Sequence, residues 1–179
     1  MQIPAFVGTI VDIIVALTLI FSFIGGLRGG AVKEFFGLLA FIISLPLTGV
    51  FMGFVVPWFS FVNDTAWREF LAFLLTMGII ILLLYLIFWA PRFWLEKIWG
   101  GGFFWSLLGG IFNLLNAALG MVLLVSLLVI YPVWPWLDAV LTSSALLNWL
   151  INTVGAFVLT LLKSTHPVGL TASISFFAG

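Results

Sequence analysis

The chain contains no cysteine, only one histidine, and few charges: 7% of its 179 residues are Asp, Glu, Lys or Arg. Without cysteine there is no disulfide, thiolate metal site or cysteine nucleophile, and the redox compartment stays open. The single imidazole, His166, lies beside Pro167 in the C-terminal stretch. That leaves no paired-histidine metal site and no histidine acid–base pair within the apolar runs. Six Lys and Arg balance six Asp and Glu, so there is neither a basic face to neutralise phosphates nor an acidic tail, and nucleic acid is not an expected partner. The carboxylates are scattered among the gaps. Gly100–Gly102 lack the Lys-Ser/Thr that completes a phosphate-binding loop. The expectation is a protein that is not an enzyme, with no catalytic residue, cofactor or metal.

What the chain has in excess is apolar surface: 64% of its residues are hydrophobic, far above soluble usage, in which about a quarter of residues are charged. A membrane-spanning helix needs about 20 mostly apolar residues. Gly8–Leu27, Phe35–Trp58, Phe70–Ala90 and Leu107–Tyr131 all meet that length. The fold expected is an all-α integral membrane protein with four transmembrane helices plus a C-terminal amphipathic or membrane-packed helix. Its parts are a four-helix bundle over 1–131, a packed or interfacial helix over 132–163 and an irregular tail over 164–179. No cation precedes Arg28, so the first run is expected to remain a span and not to act as a cleaved signal.

Cations near span ends are retained on the cytoplasmic side. Arg28 and Lys33 follow the first span, and Arg92 and Lys97 the third, against Arg68 alone after the second. That balance predicts a multi-pass protein with both termini outside. Tryptophans favour the membrane interface, where one ring edge is wet and the body is buried. Trp58 and Trp67 bracket one gap, Trp89, Trp94, Trp99 and Trp105 crowd the next, and Trp134 and Trp136 mark the end of the fourth span. Membrane anchoring is the first reading of this set, and pigment stacking or a quaternary-ammonium cage the other. Pro91 is expected to stop the third helix, and Pro46 to kink the second.

The run from Trp136 to Leu162 is long enough to span but carries a polar stripe, Asp138, Thr142, Ala145, Asn148, Asn152, Ala156 and Thr160, closed by Lys163. A narrow polar stripe suits an interfacial or bundle-packed helix, with a fifth span as the alternative. Within the spans, Gly109, Asn113, Asn116 and Gly120 share one face at i, i+4, i+7 and i+11. Small residues admit a second backbone and amides bond across helices. This face reads as a helix-packing seam toward other subunits or, alternatively, as a polar conduit. Asp12 lies about one turn into the first span, where a carboxylate has a partner or faces water, leaving a polar or ion role open.

The turn after the first span is the most distinctive local motif. Gly26-Leu27-Arg28-Gly29-Gly30-Ala31-Val32-Lys33-Glu34, preceded by Asp12, resembles the G-x-R-x-G-x-x-[KR]-E turn of the colicin V production (CvpA) family of small bacterial inner-membrane proteins. In physical terms the glycines permit a tight reversal, Arg28 and Lys33 hold the turn at the headgroups, and Glu34 suits a helix N-terminus. The resemblance continues more loosely through Gly101, Gly109, Pro135 and Ser143–Ser144. The charged pair and second glycine that the family places around the span-4 glycine are replaced by Trp105-Ser106 and Asn113. The resemblance implies a cytoplasmic-membrane protein linked to peptide-toxin production or export and to envelope maintenance, working in the bilayer with other membrane protein subunits or as a homo-oligomer. Two further function classes stay open: a small channel or transporter component, and an accessory subunit of a large bioenergetic or photosynthetic complex.

Overall fold

The computed structural model describes residues 5–99 and 102–163. Among them lie six α-helices: α1 Ala5–Gly29, α2 Ala31–Val55, α3 Thr65–Trp99, α4 Phe103–Ile130, α5 Pro135–Thr142 and α6 Ala145–Lys163, with a short 3-10 turn at Val56–Phe59. Five of the helices, all except α5, are long and apolar enough to cross a membrane. The expected irregular tail, His166 and Gly101 lie outside the described residues.

The helices differ from the sequence reading chiefly at their ends. α1 and α2 are separated by one residue, Gly30, whose φ of 79° places it in the left-handed region that glycine enters without penalty. Its N–H donates to the Gly26 carbonyl at 3.1 Å, closing the last turn of α1. The third helix does not stop at Pro91 but runs on to Trp99. Two contacts hold these last turns: Arg92 Nε donates to Glu96 Oε1 at 2.7 Å, and the Lys97 ammonium sits 4.4 Å from the centre of the Phe93 ring. At 1.5 Å per residue α3 is about 50 Å long, more than the roughly 30 Å hydrocarbon layer requires.

The run from Trp136 to Leu162 is two helices and not one. The break falls at Ser143–Ser144, where side-chain hydroxyls compete for backbone partners. Ser143 Oγ donates back to the Val140 carbonyl at 2.6 Å, while Ser144 Oγ accepts the Leu147 N–H at 3.0 Å and caps α6.

α1 packs chiefly along α4, and α2 lies between α3 and α4. α6 rests on α4 with flanking contacts to α1 and α2. The largest core joins Leu45 and Met52 of α2, Phe73 and Met77 of α3, Val122 and Leu127 of α4, and Leu147, Val158 and Leu162 of α6. Residues of α6 three and four apart face this core, and Asn152, Thr153, Ala156 and Thr160 are exposed on the other side. One end of the bundle is closed by polar caps. Asp64 Oδ1 accepts the Ala66 N–H at 2.8 Å to start α3, Arg68 donates twice to the Val62 carbonyl, and Trp67 meets Trp134 edge-on at 5.0 Å.

Candidate functional site

Five polar residues among the described ones are buried: Ser44, Thr48, Thr76, Ser126 and Ser144. The first four donate to a carbonyl three or four residues back in their own helix, at 2.6–2.8 Å. Such bonds satisfy the hydroxyl locally and connect nothing. Ser144 is different, because its hydroxyl donates at 2.5 Å to Oδ1 of Asp12 on α1. The same carboxylate oxygen accepts the Leu146 N–H at 2.9 Å.

Asp12 therefore completes the cap of α6 from another helix. The first N–H groups of an α-helix have no partner within it, and a carboxylate is the group that best matches their partial positive charge. Ser144 takes the Leu147 N–H and Asp12 takes the Leu146 N–H, so two of these donors are satisfied by two side chains that are also bonded to each other. The backbones are equally close: a Cβ at Gly8 would collide with the Ser143 carbonyl. The sequence singled out Asp12 but not Gly8, and it marked Ser143–Ser144 only as a family-like feature. The available signal was a serine three residues before Leu147, a helix-cap spacing hidden inside an apolar run.

A second contact fastens the other end of α1. A Cβ at Gly109 would lie 2.5 Å from the Gly26 carbonyl oxygen and 2.7 Å from the Gly30 carbonyl carbon, and one at Gly26 would collide with the Gly109 carbonyl. The two glycines bring α1 and α4 into backbone contact, and Gly110 seats the Phe23 ring and Leu27 in the same way. Asn113 Nδ2 donates to the Ser22 carbonyl at 2.7 Å, one turn along the same crossing. Gly26 of the turn motif thus belongs to the α1–α4 crossing, and the reversal itself falls on Gly30.

The four residues of the span-4 face consequently have separate surroundings. Gly109 and Asn113 meet α1 of the same chain; among the described residues a Cβ at Gly120 would have nothing within 4 Å, and the buried Asn116 Oδ1 has no hydrogen-bond partner. At the turn, Lys33 Nζ lies 3.9 Å from Glu34 Oε1, and the Glu34 carboxyl packs over Gly29, where a Cβ would collide with it. Arg28 takes part in neither of the two ion pairs found among the described residues. Asp12 lines a shallow surface recess with Thr9, Ile13, Ala16, Leu146 and Trp149, apart from Asn113 and Asn116. Among the described residues no group of three His, Cys, Asp or Glu side chains is placed to hold a metal ion.

The arrangement is mechanical: one helix, α1, is pinned near its start by a carboxylate and near its end by a glycine crossing. Between these points Ile13, Ile14, Leu17, Ile20 and Phe21 remain exposed. Among known protein families, the model described as colicin V production protein matches residues 11–155. That span contains both fastening points. Comparison with the curated proteins and with the solved structures found no match.

Proposed function

Since the chain belongs to the colicin V production protein family, we propose that it acts in the cytoplasmic membrane as a non-enzymatic assembly component in the production or export of a peptide toxin. It works through contacts with partner membrane proteins and carries out no chemistry of its own. The observation that carries this proposal is the pinned α1. Asp12 and Gly26 hold the helix to α6 and α4, and its outward apolar face is left as a continuous ridge. A ridge of large apolar side chains offers surface for van der Waals packing, one of the forces that associate helices in lipid.

The topology that goes with this function has four crossings, α1 to α4, with α6 packed on them and both termini outside. The position of the core supports the packing of α6 on the bundle. The buried residues of α6, from Leu147 to Leu162, join a core drawn from Leu45–Val55 of α2, Phe70–Met77 of α3 and Ala118–Leu127 of α4, which are the halves of those helices away from Arg28, Lys33, Arg92 and Lys97. Thr153 and Thr160 donate to the Trp149 and Ala156 carbonyls, so neither hydroxyl requires water.

The test is a producing host in which the chain is replaced by an Ile13→Ala/Leu17→Ala/Phe21→Ala variant. Toxin in the medium is expected to fall while the variant still inserts and reaches normal levels. Unchanged export would remove the ridge from the function.

A second reading, a subunit of a small polar conduit, is favoured by the buried Asn116 Oδ1, which has no partner among the described residues. It predicts that Asn116→Leu abolishes solute or ion flux in reconstituted vesicles. No flux from the parent protein would dismiss it.

A further inference from the structure

Two cavities adjoin at the end of the bundle where α1 turns into α2. One, of about 350 Å³, is lined by Arg28, Gly30, Lys33, Glu96, Trp105 and Ser106 among others. The second, of about 210 Å³, is lined only by apolar side chains, including Phe35, Phe36, Leu108 and Phe112. Ala31, Val32 and Trp105 line both, so a polar chamber opens against an apolar groove across a shared wall. The larger cavity alone falls in the range of small-ligand sites, about 300–1,000 Å³.

The chamber has the electrostatics of an anion site. Arg28 and Lys33 bring two cations, the Lys33 ammonium 3.9 Å from Glu34 Oε1, which offsets part of its charge. Glu96 is the acid on its wall, and Arg92 at 2.7 Å offsets that charge. The start of α2 adds to this, because intrahelical bonding there begins with the Glu34 N–H donating to Gly30, which leaves the N–H groups of Ala31, Val32 and Lys33 as further donors. The Ser106 hydroxyl lies on the same wall. The groove alongside offers no polar partner and is flanked by aromatic rings, with Phe35 and Phe112 at 5.6 Å between centroids.

We propose that this composite cavity is a binding site for one anionic glycerophospholipid. The phosphate and its head alcohol occupy the Arg28–Lys33–Ser106 chamber, and an acyl chain lies in the Phe35–Leu108–Phe112 groove. A free phosphate would satisfy the chamber but gain nothing from the groove, and a plain hydrocarbon would use the groove alone. Only an amphiphile with a charged head fills both, and basic pockets between spanning helices are where such heads bind. The bound lipid would tie the α1–α2 turn to the start of α4, which meet directly at Gly30 and Gly109.

The test uses the full chain, purified in detergent, stripped of lipid and examined by native mass spectrometry with phosphatidylglycerol or phosphatidylcholine. One phosphatidylglycerol is expected to stay bound per chain, with about tenfold preference over phosphatidylcholine, the size expected from Arg28 beside a partly offset Lys33. Arg28→Gln/Lys33→Gln should remove the preference. Lys97→Gln, which changes a cation at the same end but outside the chamber, should keep it. Leu108→Trp, which fills the groove and leaves the charges intact, should weaken phosphatidylglycerol without touching the cations. Equal retention of both lipids by the parent protein would overturn the site. So would full retention by the Leu108→Trp variant together with displacement by millimolar inorganic phosphate, since that pattern describes a free-anion site.

Discussion

Ser144 donates its hydroxyl hydrogen to Asp12 Oδ1 at 2.5 Å across 132 residues of sequence, and in doing so fixes the start of the last helix to the first. An ionisable side chain early in a membrane span thereby has a structural partner, and its second acceptor bond, from the Leu146 N–H, makes it part of a helix cap. Asp12 and Ser144 act as a unit, so the loss of either one leaves donors or acceptors without a partner.

Ser144→Ala should lower the thermal midpoint by the equivalent of about 0.5–2 kcal/mol, the usual cost of losing a serine cap. Asp12→Asn should destabilise in the same direction and make α6 accessible to protease. The double variant is expected to lose less than the sum of the two single losses, because the groups share one bond network. Additive effects in detergent melts would show that the two side chains act separately.

At the α1–α4 crossing, Gly109→Ala and Gly26→Ala each place a methyl group against backbone that has no rotamer to yield, with an expected cost of about 1–3 kcal/mol. Gly120→Ala, with open space around it, should be neutral or gain up to about 1 kcal/mol in helix propensity. Melting curves of the three variants, made side by side, distinguish a crossing at Gly109 from one spread along the whole face.

The two asparagines of α4 should respond oppositely to leucine. Asn113→Leu removes the bond to the Ser22 carbonyl and should cost about 0.6–2 kcal/mol. Asn116→Leu removes a buried oxygen that has no partner among the described residues and should leave stability unchanged or raise it. A destabilised Asn116→Leu variant would mean that the oxygen is satisfied by a group beyond the described residues, from this chain or another.

Tyr131, just beyond α4, has its hydroxyl buried against the Met52 sulfur at 3.8 Å. Burial first, and then the negative charge of Glu69, push the phenol up to about 12. The folded value lies above the unfolded one of about 10, so this group's stabilising contribution is complete below pH 10 and is lost as pH rises through 12. In a Tyr85→Phe background, ultraviolet absorbance should show a single phenol titrating late, and unfolding should bring it back to about 10.

For topology, single cysteines at Thr65, Lys97 and Lys163 can be labelled with an impermeant thiol reagent in a chain that has no cysteine of its own. Thr65→Cys and Lys163→Cys are expected to label from outside and Lys97→Cys only after permeabilisation. Protection of Lys163→Cys would make α6 a fifth crossing.

Much of the fold was legible because a bilayer imposes length and composition on whatever crosses it. Four apolar runs and the cations between them placed the ends of α1, α2 and α4 to within four residues, while the end of α3 was placed nine residues early. The errors were local. Pro91 ended an apolar run, but the helix past it is held by Arg92–Glu96 and Lys97–Phe93 contacts that hydropathy does not register. The break at Ser143–Ser144 was masked by apolar residues on both sides of it. Of the candidate residues, Gly109 and Gly26 were both visible, one in a helix face and one in a turn motif, but their contact depends on how α1 lies on α4. Asp12 stood out as a charge in a span, whereas its partner is one serine among several and separated by most of the chain.

The most direct experiment is extraction of the chain from its native membrane in mild detergent, followed by sizing and mass spectrometry of everything recovered with it. Recovery in fixed ratio with other membrane proteins, lost in the Ile13→Ala/Leu17→Ala/Phe21→Ala variant, is the expected result. Recovery of the parent chain alone as a monomer would contradict a role in assembly.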